Sequence, residues 1–215
     1  MIHIDLMYLS MISILAPTFL GVGLFRSLPR ELRILAFFVF ATCLLEGVVY
    51  VAWLYNVNNL GMFHLFTFVE FIFVSIIYYR LLKSIRVVRY AILALGLFFM
   101  TASAYILFKQ EYFDQYNSTQ RGIEQLIILV YVLLFLYLFS KRLPEERHLL
   151  KPYFYLSIGW LIYFSGTFVI FLDAYGYIDL SRFLNWSVHS VLNIFLNAIY
   201  FAVFWMAGRM MRSNR

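Results

Sequence analysis

The sequence predicts an all-α membrane protein, a bundle of seven transmembrane helices with its N-terminus outside and its C-terminus in the cytoplasm. Composition is the first observation: 64% of the 215 residues are hydrophobic and only 13% are charged, whereas a soluble domain has about 25% charged residues. Seven apolar stretches joined by short connections are the second observation. The third is the distribution of Lys and Arg among those connections.

A helix needs about 20 mostly apolar residues to cross a bilayer core. Backbone that crosses lipid must satisfy its own hydrogen bonds, so such stretches are read as helices. The connections are too short for an additional domain, so residues 1–215 form one transmembrane domain. The predicted spans are 6–25, 34–54, 60–79, 90–108, 123–139, 153–172 and 183–207, of which the fifth is the shortest.

The first span is predicted to be a retained helix rather than a cleaved signal peptide. Its N-terminal flank contains Asp5, lacks a basic region, and is not followed by an A-x-A cleavage site. Pro17 removes an amide donor and crowds the carbonyl of Ser13, so a kink is expected near Ser13. Small residues, Ser10 and Gly21 among them, are typical of close helix packing in membranes.

The basic residues fall almost entirely on one side of the predicted bundle. Only Lys109, Arg121 and Arg182 are assigned to the other side. Fourteen against three places the first group in the cytoplasm, and the basic clusters alternate between the sides without a break only if there are seven spans. The fourteen are Arg26, Arg30, Arg33, Arg80, Lys83, Arg86, Arg89, Lys141, Arg142, Arg147, Lys151, Arg209, Arg212 and Arg215.

Ionisable residues inside spans are the best candidates for function. An acid at a helix centre costs about 2.5–3.5 kcal/mol on insertion scales, so it usually faces the bundle interior. The sequence places two acids deep within spans, Glu46 in the second and Glu70 in the third. His64 and His189 are also embedded.

The seventh span has the densest polar series. Asn185, His189, Asn193 and Asn197 recur every four residues and occupy one face of the helix. Asparagines at this spacing either line a site or hold helices together through hydrogen bonds. Both interpretations remain open from the sequence.

These residues predict a polar pocket that opens to the outside. The estimated depths of His64, His189, Glu46, Glu70 and Asn193 are roughly 6 to 15 Å from the outer ends of their spans. If the second, third and seventh helices are neighbours, the pocket is enclosed between them. The predicted binding residues are Glu46, His64, Glu70, His189, Asn193 and Asn197, with Asp173 near the mouth.

Two classes of seven-helix membrane protein need particular residues to bind their cofactors. Rhodopsins bind retinal through a lysine in the seventh helix, and 183–207 contains none, so retinal is excluded. Membrane hydrolases of the alkaline ceramidase and adiponectin receptor type hold zinc with three histidines. If zinc is bound here, its ligands come from His64, His189, Glu46 and Glu70, but Asn193 stands where a third histidine would be expected.

The run LLEGVVYVAWLYNVNNLGMFHLFTFVEFIFVSIIYYR resembles the second and third helices of small seven-helix membrane proteins common in the Bacteroidetes. The resemblance covers about a fifth of the chain. It implies that Glu46, Asn59, His64 and Glu70 are the positions of interest, and it brings no established activity with it.

Three functions follow from these observations. The first is a signalling subunit of a bacterial inner membrane that senses a small ligand or ion and acts through a cytoplasmic protein. The second is a proton-coupled transporter of small solutes that uses Glu46 and Glu70. The third is a metal-dependent hydrolase, although the lack of a compact catalytic motif favours a protein that is not an enzyme. The net charge of +6 is accounted for by topology and predicts no nucleic-acid partner, and the sequence leaves oligomer formation open.

Overall fold

The structure is a computed structural model that describes residues 2–83, 85–108, 118–174 and 182–213. These residues are almost entirely helical and contain no strand. The helices are α1 Ile2–Ser13, α2 Leu15–Leu24, α3 Arg30–Leu54, α4 Leu60–Leu81, α5 Arg86–Phe108, α6 Ser118–Ser140, α7 Pro144–Ala174 and α8 Arg182–Ser213.

Seven helical segments in the described part of the chain are long and apolar enough to cross a membrane, which confirms the predicted all-α class and number of spans. The first span combines α1 and α2. The segments are Leu6–Leu24, Arg30–Leu54, Leu60–Leu81, Arg86–Tyr105, Ser118–Ser140, Arg147–Ile170 and Ser187–Met211. We call the end of the bundle at which α1 begins the N-terminal end, and the end at which α8 finishes the C-terminal end.

The first span is interrupted at Ile14, between α1 and α2. Pro17 lies three residues further on and cannot donate a backbone hydrogen bond to the preceding turn. The carbonyl that loses a donor is that of Ser13, four residues before Pro17, whereas the Ile14 carbonyl accepts from the Thr18 amide at 3.1 Å and from the Thr18 hydroxyl at 2.8 Å. The break falls next to Ser13, where the kink was predicted.

The fifth span begins earlier than the sequence predicted. Helix α6 begins at Ser118, five residues before the predicted start at residue 123, and so includes Arg121. Assigning Arg121 to the outer connection was therefore wrong, and so was counting only Glu46 and Glu70 as deep acids, because Glu124 is fully buried within this span. The polar run before Ile123 resembles a connection in composition, and hydropathy does not register that Arg121 pairs with Glu70 and Glu124 within the bundle.

Helix α8 packs closely against α7 and also against α1 and α2. Two glycines on α7 permit this approach, because a Cβ at Gly159 would lie 2.7 Å from Ile199 and one at Gly166 would lie 2.7 Å from Leu192. On α2, Gly21 faces Phe204 of α8 in the same way. Helix α5 packs at the edge, against α4 and α6.

Candidate functional site

A cavity of about 190 Å³ lies inside the half of the bundle nearer the N-terminal end, and all spans except α5 contribute to its wall. Much of the wall is apolar, and the remainder is a set of polar side chains that point to one space, which is typical of ligand sites. The apolar residues are Met7, Met11, Leu45, Val49, Met62, Phe63 and Phe66. The polar residues are Ser10, Glu46, Thr67, Arg121, Tyr163, His189, Ser190 and Asn193.

Three of the predicted site residues, Glu46, His189 and Asn193, line this cavity. The Asn193 Nδ2 donates to the Ser10 hydroxyl at 2.9 Å, and the same amide interacts with the Glu46 carboxylate. One asparagine thus connects α8 to both α1 and α3. Among the described residues, the Oε2 atom of Glu46 is buried and has no hydrogen-bond partner.

A cluster of three charged residues adjoins the cavity, and we call Arg121, Glu70 and Glu124 the charge cluster. The Arg121 Nη1 donates to the Glu70 carboxylate on α4 and, at 2.8 Å, to the Glu124 carboxylate on its own helix. All three are buried; Glu124 is 0% exposed and Glu70 is 2% exposed. The Arg121 guanidinium also lies over the ring of Phe66, 5.6 Å from its centre.

The charges around the cavity do not balance. Arg121 is the one guanidinium among the described residues that line the cavity; it pairs with the carboxylates of Glu70 and Glu124, and a third carboxylate, that of Glu46, lines the same cavity. Buried charges are stabilised only when they are paired and hydrogen-bonded. Full ionisation of the three acids would leave an excess of negative charge, so the region favours a proton or another cation.

Sequence reasoning missed Arg121 and Glu124, although two signals pointed to them. Arg121, Glu124 and Gln125 are spaced at i, i+3 and i+4, which places them on one helical face. A buried Glu70 also needs a cationic partner, and Arg121 was one of only three basic residues assigned to that side of the bundle. All three residues of this face are buried, with exposures of 6%, 0% and 0%.

His64 is buried on α4, where its Nδ1 lies 2.7 Å from the Gln120 Oε1 on α6. It therefore joins two helices and is not part of the cavity wall. His64, Thr67 and Glu70 are all buried, so α4 presents a broad face to the interior of the bundle.

Asn197 lies one helical turn from Asn193 and donates to the Ser13 hydroxyl at 2.8 Å. It is buried and does not line the cavity. This geometry agrees with the alternative in which the asparagine holds helices together. The side chains of Asp173 and Asn185, predicted near the mouth of the site, lie outside the described part of the structure.

No three His, Cys, Asp or Glu side chains are placed to hold a metal ion among the residues that the structure describes. His189 lines the cavity, whereas His64 contacts Gln120. The two predicted histidine ligands thus lie in different surroundings. Zinc binding remains a prediction of the sequence.

Beyond the charge cluster, toward the C-terminal end, the bundle is filled by large aromatic side chains. Tyr78 and Trp160 are 0% exposed, and their rings lie 5.4 Å apart. Their polar atoms are hydrogen-bonded, as buried polar groups require: Tyr78 with Ser157 at 2.9 Å, and Trp160 with Tyr200 at 2.9 Å.

No protein-family model, curated protein or solved structure matches the chain. Its resemblance to the seven-helix proteins of the Bacteroidetes therefore stays a prediction.

Proposed function

We propose that this protein is a sensor of the bacterial inner membrane that binds a small organic cation, such as a primary amine, in the cavity and signals to a cytoplasmic protein. The observation that supports the proposal is the carboxylate of Glu46, which has a buried oxygen without a hydrogen-bond donor inside a cavity of ligand-binding character. An ammonium group supplies up to three donors and a positive charge. Such a ligand would give the Glu46 carboxylate both the hydrogen-bond donor and the positive charge that it lacks.

The remaining walls of the cavity fit a small amine. Asn193 and Ser190 from α8 offer hydrogen-bonding groups, and Met11 and Phe66 offer apolar contacts for a short hydrocarbon portion. Arg121 is already engaged with two carboxylates, so it does not provide the free cation that an anionic ligand would require. These features favour a cation over an anion.

The cavity is expected to face outward. Apart from Arg215, which lies outside the described residues, the fourteen basic residues of the predicted cytoplasmic connections belong to the C-terminal end of the bundle, and the cavity lies toward the other end. Arg121 is buried in the charge cluster, so Lys109 and Arg182 are the two basic residues that remain in the predicted outer connections. The positive-inside rule still favours an outside N-terminus.

Sensing fits the packing better than transport does. A transporter must open its site to both sides in turn, usually by rocking one group of helices against another. Here the aromatic core that includes Tyr78, Trp160 and Phe204 fills the C-terminal half at 0% exposure. Such a packed region suits small shifts between helices better than the opening of a solute path.

Polar pairs between helices are spaced along the bundle from the cavity region to the C-terminal end. They are Gln125 with Thr167, 2.9 Å apart, the Trp160–Tyr200 and Tyr78–Ser157 pairs and, at the end of the bundle, Arg80 with Glu31 at 3.0 Å. These pairs bridge α3, α4, α6, α7 and α8, so we expect a displacement of Arg121 on ligand binding to reach the C-terminal end through small shifts of these helices.

The relay is tested by measuring a distance at the C-terminal end. Spin labels at Lys83→Cys and Lys141→Cys, in a Cys43→Ala background, report the separation of α4 and α6, which Arg121 joins. Propylammonium is expected to shift the distance distribution by about 1–2 Å, and Glu46→Gln is expected to abolish the shift. Saturable binding that leaves the distribution unchanged would contradict the sensor.

Proton-coupled transport is the second candidate, and the buried charge cluster favours it. Two carboxylates on one guanidinium form a site where protons can be held within the membrane. Its test is amine uptake into liposomes driven by a proton gradient. Uptake that disappears in Glu70→Gln but persists in Glu31→Gln would support transport instead of sensing.

A further inference from the structure

A second depression lies on the outer surface of the bundle beside the cavity. It is a groove of about 300 Å³ between α1 and α3, lined mostly by apolar side chains. Ile12, Leu15 and Gly47 stand at its rim and are exposed, which in a membrane means that they face lipid. We call it the lateral groove.

The lateral groove and the cavity share two residues, Glu46 and Met11. Glu46 therefore stands between an internal polar space and a surface that faces the hydrocarbon of the bilayer. A carboxyl group this deep within a span would be costly in free energy if it merely faced lipid. Its position is that of a contact point for a molecule that occupies both spaces.

The packing of the first span explains why the groove exists. Helix α1 packs against α8, and the close packing of this span against α3 is made by α2, beyond the break at Ile14. At the N-terminal end, α1 and α3 are bridged by the rings of Tyr8 and Tyr50, with centres 6.4 Å apart. The gap is thus bounded by an aromatic pair on one side and by the α2–α3 contact on the other.

We infer that the lateral groove is the entrance from the bilayer, and that the natural ligand is a single-chain amphiphile with a cationic amine head. The head binds Glu46 inside the cavity, and the hydrocarbon chain lies in the groove between α1 and α3. The negative charge of Glu46 favours a cationic head group. That head group would donate to the Glu46 Oε2, which has no hydrogen-bond partner among the described residues. The apolar lining beside Cys43 and Gly47 selects the chain. This inference rests on the proposed function and specifies its ligand.

Gly47 allows the groove to be blocked without disturbing the bundle. A Cβ at Gly47 would meet nothing within 4 Å, and the same is true of Gly96 on α5. Gly47→Trp therefore fills the groove, while Gly96→Trp adds the same side chain at a half-buried position of α5, away from the groove. Glu46→Gln removes the charge with almost no change of volume and is the decisive variant.

The experiment uses the full chain in nanodiscs and a dodecylamine that carries a photoactivatable diazirine in its chain. After illumination, the labelled peptides are identified by mass spectrometry. We expect labelling to concentrate on α1 and α3 at the groove, to be competed by dodecylammonium but not by dodecanol, and to fall at least tenfold in Glu46→Gln and Gly47→Trp. Gly96→Trp should label like the parent.

Two results would overturn the inference. Labelling spread equally over the lipid-facing helices, or competed equally by dodecanol, would mean that the amphiphile is only surrounding lipid. Calorimetric binding of propylammonium that is unchanged in Gly47→Trp, without groove labelling by the long amine, would show a cavity that is filled from water; the proposed function would then survive. If neither amine binds, both proposals fail.

Discussion

Arg121 on α6 and Glu70 on α4 form an ion pair inside the bundle, although they lie 51 residues apart in the chain. Both are buried, at 6% and 2% exposure. Because Glu124 shares the same guanidinium nitrogen, one arginine holds two acids that would otherwise be isolated in a membrane interior. The pair also forms part of the structural link between the cavity and the helices that run to the C-terminal end.

Replacing Arg121 with Met should strongly destabilise the fold. The change leaves two carboxylates without their cation, and breaking a buried pair costs about 3–5 kcal/mol. Chemical unfolding in detergent measures the loss. Arg209→Met, which removes an exposed arginine over the Trp205 ring, should change stability by less than about 1 kcal/mol.

The triple variant Arg121→Met, Glu70→Gln, Glu124→Gln should recover part of the lost stability, because it removes the unpaired charges as well as the cation. A single Arg121→Met variant as stable as the parent would contradict the charge cluster.

Asn193 and Asn197 are expected to behave differently although they lie on one face of α8. Asn197→Ala removes a helix contact to Ser13 and should lower stability by about 0.6–2 kcal/mol without affecting amine binding. Asn193→Ala should weaken amine binding, because its amide interacts with both Ser10 and Glu46. Equal effects of both variants on binding and stability would argue against a local site.

Close contact between α7 and α8 should depend on Gly159. A valine there brings its Cβ to within 2.7 Å of Ile199, and overpacking of this kind costs about 1–3 kcal/mol. Gly96→Val, where a Cβ meets nothing within 4 Å, is the matched control. Melting temperatures measured side by side should fall for Gly159→Val alone.

The orientation predicted by the basic residues can be tested by labelling single cysteines. In a Cys43→Ala background, Asn58→Cys in the connection between α3 and α4 should react with a membrane-impermeant maleimide added to intact spheroplasts. Lys141→Cys, after α6, should react only when the membrane is opened. The opposite pattern would reverse the bundle and place the cavity on the cytoplasmic side.

The fold could be predicted from the sequence because a membrane span is recognised by its length and its apolar composition. All seven predicted spans overlap those of the structure, and the break at Ile14 follows from Pro17. The start of α6 could not be predicted in this way. Hydropathy treats Arg121 as costly within a span, whereas in the bundle its charge is paired with Glu70 and Glu124, and the pairing with Glu70 is a tertiary property.

Part of the site could also be predicted from the sequence. Helical periodicity brought His189 and Asn193 onto one face, and the cost of burying an acid pointed to Glu46 and Glu70. Neither helical periodicity nor the cost of burying an acid identifies which helices are neighbours. That His64 contacts Gln120 and that Asn197 contacts Ser13 depends on the packing of α4 on α6 and of α1 on α8.

The central claim is that Glu46 binds a small organic cation in the cavity, and calorimetric titration of the purified protein with propylammonium tests it most directly. We predict saturable binding that is weakened at least tenfold in Glu46→Gln, which corresponds to about 1.4 kcal/mol. Glu31→Gln, which removes a carboxylate at the other end of the bundle, should bind like the parent. No saturable binding by the parent, or equal binding by Glu46→Gln, would contradict the account.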